Sequence, residues 1–485
     1  MSGEIIEASE AQAGDARSSF DLRRLALRGS LWTIGGHLFN NAARFASNLI
    51  LTRLLVPDHF GVMTVANVFL QGLYMLSDLG LGPSIIQNKR GEEEGFLNTA
   101  WTIQVMRGAI LFAIACVLGG PLARFYEMPD LAWLFPLLGT TALIDGFTST
   151  AVFTLNRALM LGRLILLDSM VTLTAITTNL ITALVAPSIL ALALGGVTGA
   201  LMRMLLSHWF LPGIRHRFAL EREARAELLR FGRWILLSTG FTFLALQIDR
   251  LVLGKLVSEA ELGVYSIAFM LAVIPREVMD QLAQRVYYPV VARELRNDPS
   301  SPSVRRLRAH LMLLVLVPIA CTMGVAVSLV AFLYDERYAL AGPLMAWLSL
   351  GTWFNIAEAT YGAMALARGE PRWITYGTGL KVVVFALAIS VVRGWSVEGI
   401  AMLTALSTLA IWLFTAVAAW RYRLASLGVD VLGTLALLVI AYLVHQLEQF
   451  ISGVAGYRLV GLAFVGLIAV GVPAFLLRKR VLVLL

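Results

Sequence analysis

The chain has 485 residues, 58% of them hydrophobic and 14% charged, with a formal net charge of +8. Soluble domains carry about 25% charged residues, so this composition excludes a protein that folds in water. The basic balance does not indicate nucleic acid, because Arg and Lys are scattered at the ends of apolar segments, and Cys116 and Cys321, both inside apolar runs, do not read as a disulfide framework.

Residues 1–18 are polar and acidic, with Glu4, Glu7, Glu10 and Asp15, and are expected to be disordered. No apolar stretch with a cleavage site lies there, so no signal peptide is expected. Ser19 can cap a short helix, FDLRRLALR, that would place Arg23, Arg24 and Arg28 at a membrane surface. A spanning helix needs about 20 mostly apolar residues. Fourteen stretches qualify, at 29–54, 59–80, 96–122, 131–155, 164–186, 188–211, 231–256, 262–288, 308–333, 341–367, 373–392, 397–420, 430–449 and 457–477. The expected organisation is all-α and polytopic. A tail with an interfacial helix covers 1–28, and spans 1–6 form an N-lobe over 29–211. A charged amphipathic linker helix covers 212–230, and spans 7–12 form a C-lobe over 231–423. Spans 13 and 14 and a basic tail fill 424–485.

Arg and Lys crowd one side of this topology. The N-terminal segment holds Arg17, Arg23, Arg24 and Arg28, and the even-numbered connections hold clusters such as Lys89-Arg90, Arg215 to Arg233 and Arg293 to Arg308. The C-terminal tail adds Arg478, Lys479 and Arg480. The odd-numbered connections carry Arg53, Arg124, Lys255, Arg337, Arg393 and Arg458. The positive-inside rule then puts both termini in the cytoplasm.

The stretch from Trp32 to Asp78 recurs, without a gap, 202 positions later. Trp32 falls on Trp234, Phe39 on Phe241, Gly61 on Gly263 and Asp78 on Asp280, while Arg53 falls on Lys255. Each copy is an apolar helix, a short polar turn and a second apolar helix, so the chain is internally duplicated. Six spans separate the copies. The two lobes therefore enter the membrane in the same orientation and are parallel repeats about an axis along the membrane normal.

A charge at mid-helix costs about 2.5–3.5 kcal/mol on insertion scales, and such residues face a cavity or a partner. His37, Asn41, Arg44 and Asn48 follow one helical stripe, as do Asn67, Gln71, Tyr74 and Asp78, and Arg276, Asp280, Gln284 and Tyr287. Asp168, Thr172 and Asn179 make a further stripe, and so do Asn355, Glu358 and Tyr361. Turned away from lipid, these stripes would line a central polar cavity. Each also has a structural explanation. Arg44 can lock helices by pairing with an acid, and Asp78 and Asp280 can be contacts at cytoplasmic helix ends. Asp249 can be purely structural, and Lys381 can reach the interface.

There is no GxxxxGK[ST] phosphate loop, no metal-ligand spacing and no GxSxG elbow, and no extracytoplasmic loop is long enough for a catalytic domain. An enzyme is disfavoured, and neither a cofactor nor a metal is expected. The segments LLVPDHFGVMTVANVF, SDLGLGPSIIQ, QIDRLVLGKLVSEAELGVYSIAF and YYPVVARE resemble the Wzx/PST polysaccharide-flippase branch of the multidrug/oligosaccharidyl-lipid/polysaccharide exporter superfamily. That resemblance runs from span 1 through span 12. It implies two six-helix lobes in a V around a central cavity, with two extra helices, acting as a monomer in a Gram-negative inner membrane. It further implies movement of an undecaprenyl-pyrophosphate-linked oligosaccharide from the cytoplasmic to the periplasmic leaflet, for exopolysaccharide, capsule or O-antigen. Membrane lipids, a glycan polymerase and export machinery would be its partners, and nucleic acid would not.

A pyrophosphate needs permanent cations. Arg44 and Arg276 are the first expected contacts, then Arg107, Arg250 and Lys381, with Asn41, Asn48, Gln71 and Tyr74 meeting sugar. Asp78, Asp145, Asp249, Asp280 and Glu358 are the candidate ion-coupling acids. Two other readings compete: a cation-coupled multidrug exporter of the same superfamily, with an acid-dominated cavity, and a membrane-embedded glycan polymerase or ligase, with essential residues in periplasmic loops.

Overall fold

The computed structural model describes residues 35–158, 160–298, 300–391, 394–455 and 465–466. The N-terminal tail and its interfacial helix, Trp32, most of the span expected at 457–477 and the basic tail lie outside these residues. Every regular element among the described residues is helical. In chain order these are α1 (35–54), α2 (Pro57–Leu76), α3 (Leu81–Gln87), α4 (Glu94–Tyr126), α5 (Leu131–Gly146), α6 (Ala151–Arg157), α7 (Leu161–Val185), α8 (Leu190–Trp209) and α9 (Arg222–Leu256). After them come α10 (Glu259–Leu282), α11 (Tyr288–Asn297), α12 (Pro302–Gly324), α13 (Ala326–Leu333), α14 (Ala341–Ala367), α15 (Arg372–Val391), α16 (Val397–Arg421) and α17 (Leu427–Ala455). Among the described residues eight segments are long and apolar enough to cross a membrane, or nine if α5 and α6, bent by 60°, form one span. The chain is thus a multi-pass membrane protein. Helices α9, α10 and α14 have the length but break their apolar runs with Gln247, Asp249 and Arg250, with Arg276, Glu277 and Asp280, and with Asn355 and Glu358.

Two compact units divide the chain. The first runs through Leu55 and resumes over Phe69–Thr239; the second comprises Val56–Val68 and everything from Gly240 onward. One boundary falls in the connection between α1 and α2, and the other two fall inside α2 and inside α9.

In the first unit α4 packs along α5 and α7 along α8. The linker expected as one amphipathic helix over 212–230 differs. Residues 212–221 form no regular structure, and the helix that starts at Arg222 continues without a break to Leu256. A segment outside regular structure leaves its amides without local backbone partners, and side chains in the first turns of α4 supply them. Asn98 Oδ1 accepts from Arg217 N, Thr102 Oγ1 from Ala219 N and Thr99 Oγ1 from Glu221 N, each at 3.0 Å. The Trp101 ring stacks on His216 with centroids 5.3 Å apart. The backbone N–H of Thr150 donates to His216 Nε2 at 3.2 Å, so that nitrogen is the acceptor and the ring is neutral. Burial, then the neighbouring His208, pushes the His216 pKa down to about 4. Arg90 closes the strap with ion pairs to Glu93 at 2.7 Å and Glu221 at 2.5 Å.

In the second unit α14 packs against α10, α12 and α16. Beside it, Arg308 of α12 is fully buried and pairs with Asp430 of α17 at 2.7 Å. Its guanidinium also donates to Thr360 Oγ1 at 2.8 Å and Ser426 Oγ at 2.7 Å, and lies 3.6 Å from the centre of the Tyr361 ring. The Tyr361 hydroxyl donates to Asp430 Oδ2 at 2.6 Å. Arg308, counted from sequence as a loop charge, is therefore an interior clasp joining α12, α14 and α17. After α10 the ladder slips into a π-helical turn, Ala283–Tyr287. Pro289, which has no N–H to donate, follows at the start of α11.

The duplication is visible as a contact between its own copies. Helix α2 starts on Pro57, a favoured first helical residue. Helix α10 starts on a capping box in which Ser258 and Glu261 satisfy each other's backbone. The two helices cross at Gly61 and Gly263. A Cβ on Gly61 would collide with the Glu259 carbonyl, and one on Gly263 with the Pro57 carbonyl. Glu259 and Pro57 are themselves equivalent in the repeat. One turn on, the hydroxyls of Thr64 and Ser266 meet at 2.7 Å, and these residues too are 202 positions apart. Only a residue without a side chain permits this approach.

Removing one member of a buried ion pair strands the other and costs about 3–5 kcal/mol, whereas replacing both with apolar residues is often neutral. Arg308→Met should therefore sharply lower the unfolding temperature of the detergent-solubilised protein, and adding Asp430→Leu should recover most of the loss. For His216 the unfolded ring titrates near 6.5 and the folded ring near 4, so the unfolded state binds more protons between these values. The strap's contribution is complete above pH 6.5 and falls as pH drops through that window. Carbon-13 NMR of labelled histidine should show one ring of the six titrating near pH 4, and His216→Asn should remove that signal.

Candidate functional site

The residues expected at the site fall into both units. In the first, Arg107 of α4 donates to Ser77 Oγ at 2.9 Å and to the Tyr74 carbonyl at 2.8 Å. The Tyr74 hydroxyl donates to Asp145 Oδ2 of α5 at 2.9 Å. Arg107, Tyr74 and Asp145 thus form one network tying the end of α2 to α4 and α5. Asp78 sits in the turn after α2, where its Oδ1 accepts the N–H of Gly80 at 2.9 Å and supports that residue's left-handed backbone at φ 60°. Gln71 is exposed.

On α1, Asn41 and Arg44 are exposed, and Asn48 is half-buried with its Oδ1 unpaired among the described residues. Among the described residues Arg44 reaches α7 by one long hydrogen bond, 3.4 Å to Thr172 Oγ1. One turn before Thr172, Asp168 already holds Arg203 of α8 at 2.9 Å. The α1 stripe therefore meets the Asp168–Thr172 stripe of α7, and the acid there is already taken.

The second unit encloses a cavity of about 50 Å³ walled in part by Asp249, Arg276, Asn355, Lys381, Thr352 and Thr408. These side chains come from α9, α10, α14, α15 and α16. Asp249 is buried, and its Oδ2 takes the hydroxyl of the fully buried Tyr265 at 2.5 Å. Arg276 pairs with Asp280 one turn along at 3.4 Å. Glu358, on the turn of α14 after Asn355, is attracted by Arg276 and Lys381. Lys381 is buried. Arg250 does not line the cavity. Its guanidinium bonds Gln247 Oε1 at 2.6 Å and covers the Phe269 ring at 4.0 Å. Asp249 and Arg250 are adjacent on α9 and point apart, as consecutive helical residues must.

Of the expected residues, then, Asp249, Arg276, Asp280, Glu358 and Lys381 belong to one constellation. Tyr265 and the Arg308–Asp430 pair were not singled out from sequence. The spacing of Asp249 and Tyr265, sixteen residues apart across a helix break, carries no periodic signal. Asp430 opens a span and looks like an ordinary interface charge.

Residues 50–342 match the polysaccharide biosynthesis protein family. The chain is 24% identical over 277 residues to the lipopolysaccharide biosynthesis protein WzxC of Escherichia coli, covering 56% of this chain and 55% of that protein. It is 22% identical over 323 residues to the succinoglycan biosynthesis transport protein ExoT of Rhizobium meliloti, covering 66% and 64% respectively. The matches thus span less than two thirds of the length of these relatives. Among solved structures, an inward-facing conformation of a multidrug resistance MATE family transporter of the MOP superfamily superimposes with a TM-score of 0.62 at 13% identity. That superposition covers 79% of this chain and 95% of the other. The chain is a multi-pass helical membrane protein with the fold of that superfamily, and it belongs to the polysaccharide biosynthesis protein family.

Proposed function

We propose that the protein is a flippase that carries a polyprenyl-pyrophosphate-linked oligosaccharide from the cytoplasmic to the periplasmic leaflet by alternating access, supplying exopolysaccharide, capsule or O-antigen. In this reading fourteen spans form two parallel six-helix lobes around a central cavity, with two further C-terminal helices. The chain is a monomer of the bacterial inner membrane with both termini cytoplasmic, handing its cargo to a glycan polymerase and export machinery. It performs no covalent chemistry, in keeping with relatives named for lipopolysaccharide biosynthesis and succinoglycan transport.

The observation that carries the reading is Arg44. The other intramembrane guanidinium groups described above are engaged: Arg107 by Ser77 and Tyr74, Arg203 by Asp168, Arg250 by Gln247, Arg276 by Asp280 and Arg308 by Asp430. Among the described residues Arg44, mid-helix on an exposed face, makes one hydrogen bond, at 3.4 Å, and has donors to spare. A diphosphate oxygen pair accepts such a fork in bidentate fashion. Asn41 on the same stripe, and Gln71, suit a neighbouring sugar. Arg107 and Arg250 are positioning groups in this scheme, and Arg276 is a secondary contact. Asp145, Asp249, Asp280 and Glu358 remain the coupling acids. The MATE-like fold keeps a cation-coupled drug exporter as the second reading, and the same assay separates the two.

In proteoliposomes the wild type should move a labelled polyprenyl-pyrophosphate oligosaccharide across the bilayer. A charge-assisted hydrogen bond contributes about 1.5–3 kcal/mol, so Arg44→Ala should slow flipping about ten- to hundredfold while elution and melting stay normal. Export of organic cations by a wild type that leaves the glycolipid in place would support the exporter instead. Alternating access further requires that the α2–α10 crossing part in each cycle. Cysteines at Thr64 and Ser266, with Cys116 and Cys321 replaced, should form a disulfide across the 2.7 Å contact. Oxidation should then stop flipping and reduction restore it, whereas unimpeded flipping by the cross-linked protein would mean that this crossing stays shut.

A further inference from the structure

One face of α7 receives a guanidinium on each of two successive turns. Arg203 of α8 holds Asp168 Oδ1 at 2.9 Å, and Arg44 of α1 reaches Thr172 Oγ1 at 3.4 Å. Residues four apart on a helix have Cβ atoms about 5–6 Å apart, so the two cations end at neighbouring points. Helix α1 runs beside α7 in the same direction: a Cβ on Gly36 would collide with Ile165, and two turns on Arg44 meets Thr172. Asn40, midway between Gly36 and Arg44, therefore falls level with Asp168. Asn40 is 6% exposed, yet among the described residues its Oδ1 has no partner. A buried amide normally has one.

The Arg203–Asp168 pair is unlike the Arg308–Asp430 clasp. The clasp is sealed, with side chains 0% and 2% exposed, whereas Arg203 and Asp168 are 38% and 42% exposed. An open pair stabilises little, so its members can change partners. Both have capacity left. Among the described residues Arg203 uses one of its five donors and Asp168 one of its two oxygens. Charge turned to lipid would be costly, so the open side of this pair faces a polar space.

The cargo of the transport reading, on which this inference rests, has two anionic phosphates, and Arg44 alone balances one of them. We propose that Arg203 is the second guanidinium of the diphosphate site, and that Asp168 is its internal counter-ion, holding it while the carrier is empty. A diphosphate seated on Arg44 extends one turn along α7, displaces the carboxylate and takes the Arg203 fork. The freed Asp168 turns to Asn40, whose amide lies at its level and supplies N–H donors. Asp168 competes with the cargo for Arg203 and so limits how tightly the cargo is held, which release on the far side of the membrane requires.

The test is equilibrium dialysis of ³²P-labelled inorganic pyrophosphate against the purified full chain in detergent, a readout that involves neither glycolipid nor flipping. Wild type should bind saturably. Arg203→Gln should weaken binding about tenfold and Asp168→Asn should tighten it about tenfold, the scale of one hydrogen bond to a charged group. The double variant should bind like Arg203→Gln, because Asp168 acts through Arg203. Two residues with a merely structural role would both weaken binding. The proposal is overturned if Arg203→Gln binds as tightly as wild type. It is equally overturned if Asp168→Asn, or Asp168→Ser should the first not fold, binds no tighter. Farnesyl diphosphate should displace the label and phosphatidylglycerol should not; displacement by phosphatidylglycerol alone would make this a lipid-headgroup site and overturn the diphosphate assignment. A wild type that binds no pyrophosphate also overturns the proposal, and glycolipid flipping by that same protein would keep the transport reading. The expected binding pattern with a failed flipping assay would remove the transport reading and leave the anion site standing.

Discussion

A charge inside a membrane has no water to solvate it, so the protein must supply that solvation group by group. Much of this structure can be understood as the answer to that demand. Arg308 is met by a carboxylate, two hydroxyls and an aromatic face. Arg107 is met by a serine and a carbonyl at the end of α2. Arg203 takes Asp168, and Arg250 takes a glutamine and a phenylalanine face. Each solution joins helices that apolar packing alone would join weakly, since lipid tails compete equally well for leucine. Charge is therefore the fastening of this bundle as well as the material of its site. The two functions separate by what is left over. Among the described residues Arg44 has unused donors on an exposed face, and Lys381 lines a small chamber.

That separation was only half legible in the amino-acid order. Apolar runs of spanning length, the alternation of Arg and Lys and the duplicated stretch all follow from local composition. They placed α1, α2, α4, α7, α8 and α14 to α16 within a few residues, but read α5 with α6 and α12 with α13 as single spans and gave no sign of α3 or α11. The stripes on α1, α7, α10 and α14 were also legible, because helical periodicity fixes which residues share a face. What periodicity cannot supply is the partner on the next helix. Arg308 sits among Arg305, Arg306 and other loop cations in sequence, and nothing local distinguishes it from them. Its burial depends on Asp430, more than a hundred residues away. Likewise the linker had the charge pattern of a surface helix, but Asn98, Thr99 and Thr102 of α4 offer its backbone better partners than its own helix would. Tertiary hydrogen bonding overrode local propensity there.

The constellation around Asp249 shows the same limit from the other side. Its acids and cations could each be named as intramembrane charges. That Asp249, Arg276 and Lys381 share one chamber while Arg250 turns to Phe269 is a property of five helices packed together. Less visible still is that the threonine and asparagine donors in its wall are spent on neighbouring backbone carbonyls.

The α2–α10 crossing has the geometry of an isologous interface, in which a residue meets its own counterpart across a two-fold. Thr64 touches Ser266, and Gly61 and Gly263 each take the backbone that flanks the other. In a homodimer such a contact is constrained twice by every substitution, since one mutation changes both sides at once. Two copies in one chain lift that constraint. Proline opens one helix and a capping box the other, and threonine faces serine in place of itself. Covalent duplication thus keeps the self-complementary shape and frees its two halves to diverge.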